Sequence, residues 1–170
     1  MTTRDFCIKW GVYALAVLPV WFLETMVLNR FPVCGVIPML LPLAAVAVAV
    51  LEGAVAGAGF GLFVGVLCDA VYFGASGGMT VSLAVLGACA GGLAQYALRQ
   101  NLLGCLVCSA AVLVVLDGLQ VLRRLLLAGD PLPALLGVAV PEVLWSLVFV
   151  FPVYAIFRWV HRRVPESTHF

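Results

Sequence analysis

Six long apolar runs, separated by short breaks, are the feature that most restricts what this chain can fold into. A helix that crosses a bilayer needs about 20 mostly apolar residues. Six such helices account for most of the 170 residues, so the sequence predicts an all-α, polytopic membrane protein with a single integral membrane domain over residues 1–170. The predicted spans are residues 10–28, 36–51, 54–73, 80–98, 102–122 and 135–160.

Composition excludes two broad classes of protein. Hydrophobic residues make up 65% of the chain, charged residues only 10%, and the mean hydropathy is +1.19. A water-soluble domain of this size needs more charge on its surface. The net charge of +1 provides no basic surface for nucleic acid, so we expect no nucleic-acid partner.

The basic residues indicate how the chain is oriented. The segments on the side of the amino terminus carry more arginine and lysine than the opposite segments, and such residues favour the cytoplasmic side. We therefore predict that both termini are cytoplasmic. The apolar run after Lys9 lacks a small-x-small cleavage site, which favours an uncleaved first helix over a signal peptide. The two sets are Arg4, Lys9, Arg99, Arg158, Arg162 and Arg163 against Arg30, Arg123 and Arg124.

Glycines recur every fourth residue in the third predicted span, and a shorter series follows in the fourth. On a helix this spacing places the glycines on one stripe, where another backbone can approach closely. Two interpretations stay open: packing within the chain, or a docking face for a partner's transmembrane helix. The residues are Gly53, Gly57, Gly61 and Gly65, then Gly87 and Gly91.

Five carboxylates fall within or at the ends of the predicted spans: Glu24, Glu52, Asp69, Asp117 and Glu142. A carboxylate at the bilayer centre costs about 2.5–3.5 kcal/mol on insertion scales, so each needs a structural or functional reason. We expect Glu52 to be hydrated in a cytoplasmic turn. Glu142 follows Pro141, and we expect it to lie near a helix start, where a negative charge is favourable. Asp117 is about 9 Å along the helix axis from Arg123, within pairing range only if the side chains extend or the helix is distorted.

Asp69 has two interpretations. Its carboxyl group either caps or hydrogen-bonds the adjoining loop at Gly74–Gly78, or serves as a polar anchor in an outward-facing cavity or partner interface. A proton or ion pathway through Glu24, Asp69 and Asp117 is a third possibility, but the inner half of the bundle offers no matching polar relay.

Enzyme chemistry is difficult to assemble from this sequence. Both histidines, His161 and His169, are predicted in the cytoplasmic tail, and no metal-ligand cluster or Ser/His pairing is recognisable. Cysteines in apolar runs, including the pair Cys105 and Cys108, are expected to act as small hydrophobes. We therefore predict a protein without catalytic residues, cofactor or metal.

The segment from Gly61 through Gly65 to Asp69, followed by Gly77, resembles the G-x-x-x-G-L-L-x-D-x(7)-G stretch of the MreD family of rod-shape-determining membrane proteins. Phe60 matches the aromatic residue that often precedes this stretch, whereas Val66 replaces a leucine. The carboxyl-terminal segment, from Pro141-Glu142 to Arg162-Arg163, is also similar to the last helix and basic tail of that family.

The resemblance implies a non-enzymatic subunit of the bacterial cell-elongation machinery in the inner (cytoplasmic) membrane. MreD-like proteins bind MreC, a bitopic membrane protein, and are linked through it to MreB, RodA and a class B penicillin-binding transpeptidase. Such a subunit helps to position peptidoglycan synthesis. On this basis Asp69 and the glycine stripe shape a cavity or a docking face for MreC, and membrane lipids are the other expected contacts.

The alternative is a substrate-binding membrane subunit of an energy-coupling-factor vitamin transporter, whose six-helix fold is similar to that of MreD-like proteins. Such a subunit docks its coupling protein through small residues on the first helix. Here the first predicted span carries Leu15, Leu18, Trp21 and Phe22 instead, and the outer loops lack the polar and aromatic residues of a vitamin pocket. These features favour the MreD-like interpretation.

Overall fold

The computed structural model describes residues 3–30, 38–70, 77–96, 102–127 and 132–163, and within these ranges the chain contains helices and no strand. The first helix continues without a break into a π-helical turn at Leu23–Val27 and a 3-10 turn at Leu28–Arg30. In chain order the helices are α1 (Thr3–Phe22), α2 (Leu40–Glu52), α3 (Ala54–Cys68), α4 (Gly78–Tyr96), α5 (Leu102–Leu127), α6 (Leu132–Val148) and α7 (Val150–Arg163).

Helix α2 lies at the centre of the bundle. Every residue from Leu40 to Leu51 is buried, and the helix contacts α1, α3, α4, α5 and α7. A helix that is apolar on all sides avoids water, either within a protein core or within a membrane, and α2 lies within the core of the bundle. Alternating alanine and valine over residues 45–50 keep the surface of α2 narrow, so that its neighbours can approach from several directions.

Three helical segments are long and apolar enough to cross a membrane: Ile8–Val27, Gly78–Tyr96 and Leu102–Leu126. The pair Leu135–Val148 and Val150–Arg162 passes the same test together, which gives up to four spans among the described residues. Helices α2 and α3, with 13 and 15 residues, are shorter than a full crossing, which needs about 20 residues. The number of six spans therefore stays a prediction.

The outward faces of the helices are apolar. Large side chains such as Leu15, Val55 and Leu103 are 66%, 90% and 74% exposed. Soluble proteins rarely expose apolar side chains in contiguous patches of this kind, because water excludes them. The long apolar helices and their exposed apolar faces are compatible with a membrane-embedded protein.

The last predicted span is divided into two helices. Helices α6 and α7 meet at Phe149 with a bend of 42°. Pro152 explains the position of the break, since its ring excludes a helical carbonyl four residues earlier and it has no N–H to donate. Pro141, by contrast, lies inside α6 without ending it.

Candidate functional site

The glycine stripe of α3 packs against α4 within the chain. A Cβ atom added to Gly57 would collide with the carbonyl oxygen of Gly87, and one added to Gly87 would collide with that of Gly57. A Cβ on Gly65 would lie 2.5 Å from the Cα of Thr80. The two backbones are thus in direct contact, which only glycine permits at these positions.

All six glycines of the two predicted series are buried: Gly53, Gly57, Gly61, Gly65, Gly87 and Gly91. Of the two interpretations that the sequence left open, the structure shows packing within the chain. The stripe offers no exposed surface to the helix of a partner. Gly53 has a second role, because its φ of 96° makes the one-residue turn that joins α2 to α3.

Asp69 caps helix α4 from the end of α3. Its Oδ1 accepts a hydrogen bond from the backbone N–H of Met79 at 3.3 Å, and its Oδ2 accepts from the N–H of Thr80 at 2.9 Å and from the Thr80 hydroxyl at 2.6 Å. Gly77, with φ of 69°, precedes α4 and has no side chain with which to cap it. Asp69 therefore supplies from another helix the oxygen that a capping residue normally provides.

Glu24 does the same for α2. Its two carboxylate oxygens accept hydrogen bonds from the backbone N–H groups of Leu40 and Leu41, both at 3.1 Å. The hydroxyl of Ser146 accepts a third bond, from the N–H of Met39 at 3.0 Å. The buried start of α2 is thereby satisfied by side chains of α6 and of the turn after α1. The ion-pathway interpretation is weakened, because Glu24 and Asp69 hold separate helix ends.

Asp117 and Glu142 lie in a different environment. Both line a cavity of about 210 Å³ between α5 and α6, together with Gln120 and Arg124. Asp117 is only 6% exposed, and its Oδ2 has no hydrogen-bond partner among the residues that the structure describes. The expected location of Glu142 near a helix start is wrong, since α6 begins well before it, at Leu132, and runs through Pro141.

Glu52 is part of a partly buried polar network at the other end of α2. Lys9 Nζ donates to its Oε2 at 2.5 Å, and the Tyr13 hydroxyl donates to its Oε1 at 2.7 Å. Nδ1 of His161 lies 2.9 Å from the same Oε1. The side chain of Glu52 is 11% exposed, so the expectation of a hydrated turn residue is wrong.

This network ties three helices together and was missed at the level of sequence. Lys9 and Tyr13 come from α1, Glu52 ends α2, and His161 is in the last turn of α7 rather than in a tail. Burial by itself would raise the pKa of Glu52, but hydrogen bonds from His161, Lys9 and Tyr13 outweigh it and lower that pKa to about 2. The predicted topology places Lys9, Glu52 and His161 on one side of the membrane. This shared location is the sequence feature that could have predicted the network.

The remaining sequence-level candidates have ordinary environments. Cys105 and Cys108 are buried free thiols, in keeping with their expected role as small hydrophobes. No group of His, Cys, Asp and Glu that could hold a metal ion occurs within the described ranges. His169 and the part of the predicted loop at residues 74–76 lie outside those ranges.

Compared with protein-family models, with curated proteins and with solved structures, the chain has no match in any of the three. The geometry of the buried carboxylates and glycines is therefore the basis for any functional proposal.

Proposed function

We propose that this chain is a non-enzymatic subunit of the bacterial cell-elongation machinery, an MreD-like protein of six spans in the inner membrane with both termini in the cytoplasm. It binds an MreC-type bitopic protein and helps to position peptidoglycan synthesis. Contact between helices, rather than chemistry, is its activity.

One observation carries the proposal: the residues of the MreD-like motif act together in a single hairpin. Gly61 and Gly65 let α3 meet α4, Asp69 caps α4, and Gly77 forms the bend before it. Phe60 is buried and packs against the rings of other helices. A motif that builds a rigid hairpin suits a scaffold subunit. Both oxygens of Asp69 accept hydrogen bonds from the start of α4, which favours a structural role for this carboxylate.

The outer face of the same hairpin is the surface on which we place the partner's helix. An apolar groove of about 510 Å³ lies between α1 and α3. Gly59 lines it, and nothing lies within 4 Å of a Cβ added there. Small residues on a lipid-facing groove let another helix approach closely, which favours association in a bilayer. The lining residues are Trp10, Ala14, Val55, Ala56, Gly59, Phe60 and Phe63.

Co-purification with the MreC-type protein of the same cell tests this proposal. Gly59→Leu fills the groove, and we expect it to reduce recovery of the partner at least about tenfold while the chain still inserts and folds. Gly11→Leu is the matched control, because Gly11 also has open space at its Cβ position but does not line the groove. We expect it to retain the partner.

Two results would overturn the proposal. The first is normal cell shape after depletion of the chain, with no MreC-type protein recovered with the wild type. The second is a vitamin bound stoichiometrically to the purified chain, detected by mass spectrometry after denaturation, which would favour the transporter subunit instead. Retention of the partner by Gly59→Leu would exclude only the groove between α1 and α3.

A further inference from the structure

Two residues that line the cavity between α5 and α6 each carry a buried polar atom that the described part of the chain does not satisfy. Oδ2 of Asp117 and Nε2 of Gln120 are buried without a hydrogen-bond partner among the residues described. A buried polar group left unsatisfied costs about 1–3 kcal/mol, and more when it is charged. At about 210 Å³ the cavity far exceeds the ~10–15 Å³ that one water needs. These features are expected where a ligand completes the site.

The polar groups of the cavity are of two kinds. Asp117 and Glu142 accept hydrogen bonds when ionised, whereas Gln120 Nε2 and the guanidinium of Arg124 donate them. The best occupant therefore carries a donor cation and an acceptor anion a few bonds apart. A phosphate alone would meet two carboxylates, and an amine alone would leave Arg124 and Gln120 unmatched.

An apolar groove continues from this cavity. It has a volume of about 350 Å³ and shares Asp117, Val121 and Ala139 with the polar cavity. Its other lining residues are apolar side chains and Gly118, where a Cβ would meet nothing within 4 Å. Along α5 the order is Arg124 near the helix end, then Asp117 about 10 Å deeper, then Val114. The polar part thus lies towards the end of the span and the apolar part towards its middle.

We propose that this combined site binds an aminophospholipid, with phosphatidylethanolamine as the occupant. Its primary ammonium donates to Asp117 and Glu142, its phosphate accepts from Arg124 and Gln120, and one acyl chain lies in the apolar groove. The ammonium group is decisive, because the trimethylated amine of phosphatidylcholine has no N–H to donate and phosphatidylglycerol has no cation. Charge-assisted hydrogen bonds of this type are the strongest polar contacts available in such a site.

Lipid retention by the full-length chain tests the proposal. The purified protein is placed in bilayers that contain equal amounts of phosphatidylethanolamine, phosphatidylcholine and phosphatidylglycerol with identical acyl chains, then re-extracted, and the retained lipid is measured by native mass spectrometry. We expect phosphatidylethanolamine to be enriched about tenfold over both others, the ratio that one charge-assisted hydrogen bond provides.

Two variants separate the parts of the site. Asp117→Asn removes the charge that faces the ammonium, so we expect the preference for phosphatidylethanolamine to fall about tenfold while the other two lipids are unaffected. Arg124→Gln removes a phosphate contact common to all three lipids, so their retention should fall together. Arg158→Gln is the matched control, because Arg158 is exposed on α7 and lies outside the cavity.

Several results would overturn the proposal: equal retention of all three lipids, a preference for phosphatidylglycerol, a cavity that holds only water, or an unchanged preference in Asp117→Asn. Occupation by a partner's helix, seen as a protein in the groove in place of lipid, would also overturn it. The comparison of the three lipids on the wild-type chain needs no variant. It therefore tests the preference for phosphatidylethanolamine even if Asp117→Asn does not fold.

Discussion

The α3–α4 hairpin and the α5–α6 pair both bury a carboxylate within an apolar bundle, and they treat it in opposite ways. In the hairpin, both oxygens of Asp69 accept hydrogen bonds from the start of α4, and glycines bring the two backbones into contact. In the α5–α6 pair, Oδ2 of Asp117 is buried without a partner among the described residues, and the residue lines a cavity. The same residue type thus stabilises one pair and leaves the other open to a ligand.

The difference shows how a buried charge can be assigned a role in a bundle of apolar helices. The free-energy cost of burying a carboxylate is similar in both places. At Asp69, hydrogen bonds from backbone N–H groups of α4 offset this cost. At Asp117, Oδ2 has no such N–H group among the residues that the structure describes. A satisfied carboxylate indicates structure, and an unsatisfied one beside a cavity indicates binding.

The largest effect is expected at the contact between α3 and α4. Gly57→Leu places a side chain against the backbone of Gly87, which has no flexible part that can move aside. We expect the free energy of unfolding to fall by more than about 4 kcal/mol, measured by denaturant titration in detergent micelles.

Gly59→Leu is the matched control on the same helix, since Gly59 is exposed and has open space at its Cβ position. It should change the free energy of unfolding by no more than about 0.5 kcal/mol. Equal losses in the two variants would contradict the direct contact of backbones.

An intermediate effect is expected from Asp69→Ala. The substitution leaves the N–H groups of Met79 and Thr80 at the start of α4 without their acceptor. We expect a loss of about 2–3 kcal/mol in the free energy of unfolding, with the first turn of α4 exchanging its amide hydrogens faster. If Asp69→Ala is as stable as the wild type, the cap contributes nothing and the contrast with Asp117 disappears.

The smallest effect, and one of opposite sign, is expected from Asp117→Leu. Replacement of an unsatisfied buried carboxylate by an apolar side chain should raise the free energy of unfolding by about 1 kcal/mol in detergent without phosphatidylethanolamine. The gain should shrink or reverse when that lipid is added, because tighter lipid binding stabilises the wild type more than the variant. Destabilisation in both conditions would show that Asp117 has a structural partner after all.

Much of the hairpin could be predicted from sequence, because its signals are local. Spacing of four between glycines defines a stripe on any helix, and a carboxylate near a glycine-rich turn suggests a cap. Capping by Asp69 was one of the two interpretations open at that stage, although its hydrogen bonds go to Met79 and Thr80. The sequence alone does not distinguish packing of the glycine stripe within the chain from docking of a partner's helix, because that distinction depends on the position of α4.

The features that could not be predicted from sequence depend on contacts between residues far apart in the chain. Glu52 was expected in water because it adjoins a turn, yet α1 and α7 cover it with Lys9, Tyr13 and His161. Glu142 follows Pro141 and is expected near a helix start, but α6 begins at Leu132 and continues through Pro141. Ser146 gave no sequence signal as a cap for α2, because 107 residues separate it from Met39.

Biogenesis of the chain is constrained by the single-residue link at Gly53. Helices α2 and α3, of 13 and 15 residues, are each shorter than the segments of about 20 that insertion by hydrophobicity favours. Because Gly53 alone separates them, the insertion machinery meets one long apolar stretch with a reversal in its middle. If the chain spans a bilayer, we expect the two helices to insert as a pair, and a reporter spliced between Glu52 and Ala54 to prevent their insertion.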